Sequence, residues 1–301
     1  MSQTKAQLID TLVASLLPAS DSSVDIGSNG VRFANIYGDT LYGDGSNLTG
    51  ITSVTINSNA DNRVITGSGS ANTLNGESSL LFDGSMLTVN GISVGKGANS
   101  VANNTAIGAG ALDGSVTGDH NTSVGKDTLS ANTSGANNNA VGSGSLTVNS
   151  TGSQNNVLGV DALKSNTTGN SQNAFGYEAL MSMTTAGGGT AFGHKAGRAS
   201  QVNICAMGAE SAFKTSTGIY NSAFGNYSLS ENTTGSNNTA IGYLSLYANT
   251  TGDNNTALGK GALDANTTAS NNTAIGLDAL GASTTGAYNT AVGGDSLKTA
   301  T

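Results

Sequence analysis

Twelve glycines set the frame of this chain. They stand at Gly108, Gly125, Gly142, Gly159, Gly176 and Gly193, then at Gly208, Gly225, Gly242, Gly259, Gly276 and Gly293. The spacing is 17 residues five times, 15 once, and 17 five times again. Each glycine belongs to one recurring text, N-T-A-Φ-G-x-x-(A/S)-L-x-x-N-T-T-G-x-x, where Φ is apolar. A period this regular dictates a repeat architecture, and the unit is too short for a helix–turn–helix or a propeller blade. It suits one coil of a β-solenoid. We read each coil as two strands of about five residues, the first N-T-A-Φ-G and the second centred on (A/S)-L. The anchor glycine turns one corner, where only glycine takes positive φ without strain. N-T-T-G, as at Asn166–Gly169, turns the other.

Stacked coils sit about 4.8 Å apart, so twelve make a rod segment about 55–60 Å long. Each residue then lies above its own copy. Asn104, Asn121, Asn138, Asn155, Asn221, Asn238, Asn255, Asn272 and Asn289 form an amide ladder, the device of cross-β stacks. Asn-x-Ser/Thr triplets, as at Asn166 and Asn232, read as by-products of the repeat rather than glycosylation sites.

Two apolar ladders accompany the amides. One is Ile107, Val124, Val141, Leu158, Phe175, Phe192, Phe224, Ile241, Leu258, Ile275 and Val292; the other is the leucine series from Leu112 to Leu297. The Φ residues alternate with alanines, and neighbours on a strand face opposite ways. Both faces of the first strand therefore avoid polar groups. A thin coil cannot enclose everything, and chains sharing a core down one axis would solve this. The Φ residues are expected in the core of that roll or oligomer.

Residues 1–22 differ from the rest. Leu8, Ile9, Leu12, Val13 and Leu16 recur at helical spacing, and Pro18 stops the run. A helix this short is marginal alone in water, so it needs a partner surface. Packing on its own chain, docking or oligomerisation, and a signal peptide are the competing readings. Asp10 and a basic start of one lysine weigh against the last. Residues 23–96 hold short β-type runs between Gly, Asn and Asp turn signals, and read as small β connector modules. The repeat region is 97–301.

Composition narrows the chemistry. Charged residues are 10% of the chain, against about 25% in ordinary domains. A net charge of −8 with 11 Lys and Arg disfavours nucleic acid. No apolar run of about 18 residues is present, so no membrane insertion is expected. One Cys and two His leave too few ligands for a metal site, including His194 with Cys205. No cofactor and no catalysis are expected, because acidic residues do not recur as the paired carboxylates that glycan cleavage requires. One stretch breaks the rules: 183–208, with the 15-residue spacing, Gly189 for Asn and Gly197 for Leu. His194, Lys195 and Arg198 form its basic cluster, read either as part of a defective coil or as a contact for an anionic surface glycan.

The units NNTAIGYLSLYANTTGDNNTALGKGALDANTT resemble the head repeats of trimeric autotransporter adhesins, the YadA-like β-roll, and repeats in tail fibres of marine bacteriophages, cyanophages among them. The resemblance covers about residues 91–301. The period is longer than the usual adhesin head repeat. The segments VDIGSNGVRFANIYGDTLYGDGSNLTGI and ESSLLFDGSMLTVNGISVG are similar to connector modules of phage tail fibres. No convincing signal peptide, heptad stalk or membrane-anchor strands are read in the chain, which turns the expectation towards a fibre. The resemblance implies a mainly β fold: a short N-terminal helix, β connectors, and a left-handed parallel β-roll of about 17-residue coils, with three chains around one axis. It also implies a virion tail protein that holds a tail adaptor, nozzle or baseplate protein by residues 1–22 and meets a bacterial surface receptor. The alternative is a bacterial surface adhesin head.

Overall fold

The computed structural model describes residues 63–67, 74–82, 86–90 and 92–298. The expected helix over 1–22, with Leu8, Ile9, Leu12, Val13 and Leu16, lies outside them, as does most of 23–96. All described residues belong to one compact unit of the chain, Thr55–Ser68 with Thr73–Thr301.

The described part is mainly β. It opens with four antiparallel strands, β1 (Arg63–Gly67), β2 (Leu74–Phe82), β3 (Met86–Val89) and β4 (Ile92–Gly95). Strand β4 pairs antiparallel with β5 (Thr105–Ile107), placing Val94 beside Ile107. From β5 onwards every pairing is parallel, through β6 (Thr122–Val124), β7 (Asn139–Val141), β8 (Asn156–Leu158), β9 (Asn173–Phe175), β10 (Thr190–Phe192), β11 (Ile204–Met207), β12 (Asn221–Phe224), β13 (Thr239–Ile241), β14 (Thr256–Leu258), β15 (Thr273–Ile275) and β16 (Thr290–Val292). The sixteen strands form one sheet in chain order. The fold is therefore a β-solenoid of 17-residue coils. Gly95, 13 residues before Gly108, ends an antiparallel strand.

Each coil carries one strand, not two. The (A/S)-L segment is a turn. The second residue after each anchor glycine and the fourth both sit in the left-handed region, as at Asp161 (φ 55°) and Leu163 (φ 52°). Two such residues with one between them bend the chain too sharply for a strand. Left-handed backbone costs roughly 1–2 kcal/mol per residue and is worst for β-branched side chains. The column accordingly holds Leu, with Gly197 and Ala212, and never Val or Ile. Inter-coil bonding continues through the turn: Leu163 N–H donates to Ala179 O (2.9 Å) and Asp161 N–H to Ser143 O (3.0 Å).

The anchor glycines turn the corner as the repeat requires, for example Gly242 at φ 132°. A Cβ there would lie 2.5 Å from the carbonyl oxygen of Gly259 in the next coil. The interior is narrow. It is filled by the middle residue of each strand, nearly always Ala, and by the leucines; Ala140, Ala174, Ala240, Leu129, Leu163 and Leu263 are fully buried.

Two amide ladders close the remaining side. In the expected one, the Asn138 backbone N–H donates to Asn121 Oδ1 (3.0 Å) and Asn138 Nδ2 to Gly152 O (2.9 Å). The second comes from the first residue of N-T-T-G. Asn249 Nδ2 donates to Asn232 Oδ1 (2.9 Å) and to Gly252 O (3.0 Å). It stops at Asn266, whose Oδ1 has no donor because the next coil carries the shorter Ser283 at that phase. Asn166 and Asn232 are fully buried here, and so closed to glycosylation in the folded coil.

Candidate binding surface

Strand alternation puts the Φ residue on the face opposite the buried alanine. The Φ ladder consequently stands outside the solenoid. Ile107, Val141, Leu158, Phe192, Ile241, Leu258, Ile275 and Val292 are exposed, with Leu158 at 50% and Phe192 at 39%. Val124, Phe175 and Phe224 are half-buried. These eleven positions are not the core of the single coil, which the alanine and leucine columns fill. They form, with Met207, one apolar stripe running the length of the ladder. Val160, Tyr177, Tyr243 and Leu277, two residues further along their coils, widen it. Isolated monomers rarely expose so long an apolar strip.

The stripe is most aromatic in mid-rod. The rings of Phe175 and Phe192 stack at 4.5 Å, and Tyr177 stacks on His194 at 5.4 Å. Vertical register causes both contacts, since each pair is 17 residues apart on adjacent coils.

His194, Lys195 and Arg198 are brought together here, and Arg198 is ion-paired. Arg198 Nε donates to Glu178 Oε2 (2.5 Å), and its guanidinium lies 5.8 Å from the centre of the Phe213 ring. Lys195 Nζ lies 5.9 Å from the centre of the Tyr177 ring. Partial burial pushes the Glu178 carboxyl up, but the hydrogen bond and charge of Arg198, with help from Tyr177 and Lys195, outweigh it and hold it below the usual glutamate range. The neighbouring Tyr177 phenol is pushed up, chiefly by its hydrogen bond to Glu178 and that group's charge. Of the two cations in the expected basic patch, Arg198 is thus ion-paired, while Lys195 keeps its charge beside an aromatic ring.

Acidic groups meet at one other place. Burial first, then the charge of Asp278, pushes the Asp264 carboxyl up. Lys298 bridges Asp278 (3.4 Å) and Asp295 (2.8 Å). Among the described residues no group of three or more His, Cys, Asp or Glu is placed to hold a metal ion, and no helix is long and apolar enough to cross a membrane.

One feature escaped the sequence reading. Where the coil spacing shortens to 15, an open notch of about 330 Å³ lies beside Cys205 and Tyr220. The spacing marked the coil but not the corner that was shortened. Comparison with protein-family models, curated proteins and solved structures finds no match to the chain.

Proposed function

We propose that the chain is the shaft or head of a homotrimeric, non-catalytic attachment fibre of a phage tail. The observation that carries this reading is the apolar stripe, one outward side chain per coil over twelve coils. Burying a side chain of this kind contributes about 1.5–3 kcal/mol. A stripe repeated along the rod calls for a partner of the same period, and another copy of this chain has that period by construction. Ladders in which each coil bonds to its neighbours give the stiffness a fibre needs. The resemblance of the repeats to adhesin heads and phage tail fibres supplies the biological half of the reading. In it, residues 1–22 dock the fibre on an adaptor, nozzle or baseplate protein, and the solenoid reaches towards a receptor on the bacterial surface.

Sedimentation of the purified chain tests the assembly. The reading requires 3 × 29.6 kDa, about 89 kDa, in an elongated particle. The double variant Ile241→Lys with Ile275→Lys, which charges the stripe without touching the interior, should sediment as a monomer. A compact wild-type species near 29.6 kDa would sink the reading.

A further inference from the structure

The outward stripe is uniform except in one block. Four aliphatic levels, Ile107 to Leu158, lead into Phe175, Phe192, Met207 and Phe224, and four more, Ile241 to Val292, follow. Strand pairing sets all of them at one phase on successive coils. Leu158 lies beside Phe175, Phe192 beside both Phe175 and Met207, and Phe224 beside both Met207 and Ile241. The Phe175 and Phe192 rings stack at 4.5 Å and 4° from parallel, so they stand as one stiff unit. Phe192 and Met207 are exposed, and Phe175 and Phe224 are half-buried. The 15-residue spacing, Gly193 to Gly208, falls inside the same block.

A repeat this regular leaves copies of the chain free to pair at the wrong height. Moving one copy along another by one coil, about 4.8 Å, still sets aliphatic against aliphatic along most of the stripe. Pairings that look alike after a shift leave register weakly specified. The block breaks that likeness. With copies level, ring meets ring at three heights, those of Phe175, Phe192 and Phe224. A shift of one, two or three coils leaves one such height, and a longer shift leaves none. Aromatic pairs attract beyond the area they bury, so the level arrangement is favoured over every shifted one.

The occupant of the stripe is a second copy of the chain, as in the homotrimer proposed above, and the inference rests on that reading. The area suits it. The twelve ladder side chains with Val160, Tyr177, Tyr243 and Leu277, at about 50 Å² each, cover roughly 800 Å² per copy, which is what one partner gives to a stable interface. We propose that the block Phe175, Phe192, Met207 and Phe224 is the register key of this assembly. It holds the copies at one height, while the eight aliphatic levels supply association without choosing among heights.

Level copies cover one another's stripe from end to end and close. Shifted copies leave bare stripe at both ends, which recruits further chains, and the assembly stays open. Sedimentation velocity on the full chain reads the difference. The wild type should give one species near 89 kDa, 3 × 29.6 kDa. The quadruple variant Phe175→Leu, Phe192→Leu, Met207→Leu and Phe224→Leu makes the stripe aliphatic throughout and leaves the alanine and leucine columns of the interior in place. It should lose the single boundary to a spread of larger masses. Phe175→Leu with Phe192→Leu should lose part of it. Val124→Leu with Val141→Leu and Val292→Leu, outside the block, should keep it whole.

Circular dichroism checks that each variant keeps the β content of the wild type; where the quadruple variant does not, the double variant decides. A folded block variant that stays a single trimer overturns the proposal. So does one that falls to monomers, because the rings would then supply affinity rather than register. A wild type already spread over many masses overturns the register key and leaves self-association standing. A wild-type monomer ends the fibre reading, and the register key with it.

Discussion

The regular coils and the stretch 183–208 follow the same path with different fillings. In the regular coils one leucine and two asparagines per turn fill the interior beside the alanine, as Leu246, Asn249 and Asn255 do. In the irregular stretch Gly197 takes the leucine phase, as Ala212 does in the coil after it, Met183 takes an asparagine phase, and Gly189 and Ile204 take the other. The losses and gains meet in space. Ile204 Cγ2 lies 3.4 Å from where a Cβ on Gly197 would stand, and Met183 Cε lies 3.0 Å from the same point on Gly189. Met183 is fully buried and Ile204 nearly so. The coil closes whenever the interior is full, whether amides or hydrocarbon fill it. The amide ladder is one of two solutions, and the parallel strand ladder runs unbroken through both.

The strongest way to break this comparison is at the glycines. Gly242→Ala forces a Cβ to 2.5 Å from a backbone oxygen at φ 132°. It should cost about 3 kcal/mol or more. Gly197→Ala meets side-chain ends rather than backbone, Leu180 Cδ2 at 2.9 Å and Ile204 Cγ2 at 3.4 Å, in a phase where Ala212 is already tolerated at φ 49°. It should cost about 1–2 kcal/mol. Hydrogen exchange resolved coil by coil reads both, and equal losses would refute the distinction. Next comes volume. Leu246→Ala should cost about 2–5 kcal/mol. Gly197→Leu should overfill its coil by about 1–3 kcal/mol, and adding Ile204→Ala should recover part of that; purely additive costs in this double-mutant cycle would show that the two side chains do not share a space.

A smaller effect distinguishes the two fillings by polarity. Asn249→Ala strips donors from Asn232 Oδ1 and Gly252 O and should cost about 1–3 kcal/mol. Thr215 stands at the same phase in the coil after the irregular stretch and receives only a long bond of 3.5 Å from Asn232. Thr215→Val should be close to neutral in chemical denaturation. The smallest effect belongs to pH. The Glu178 carboxyl is held low in the folded chain, so its contribution is present above the ordinary glutamate pKa and is lost as pH falls through the lowered value. Surface pairs of this kind contribute about 0–1 kcal/mol. Exchange protection at coil 176–193 should fall slightly more than at regular coils on acidification, and Arg198→Ala should erase that difference.

The period, the glycine corners and the first amide ladder were legible because each depends on residues recurring at one phase. The direction of the strand was not. The alternating alanine and Φ columns are both apolar, so hydropathy alone leaves the inside undefined. Side-chain size settles it: the interior column stays small, as at Ala106, Ala140, Ala174 and Ala240, while the exterior varies from Val to Phe. The second strand was misread because leucine is apolar, although a column without Val or Ile already pointed to left-handed backbone. His194, Lys195 and Arg198 were legible as a cluster. The ion pair of Arg198 was not, because Arg198 reaches Glu178, 20 residues earlier, across the coil boundary.

Coils that bond only to the coils before and after them make length a separate variable from shape. Seventeen residues inserted in phase add one rung of about 4.8 Å and one more apolar side chain to the stripe. No distant residue has to readjust, because none crosses more than one boundary. Duplicating seventeen codons therefore lengthens the rod by a fixed increment. The gene is graduated like a ruler, and its reach can be tuned in whole divisions while the irregular coil keeps its own mark.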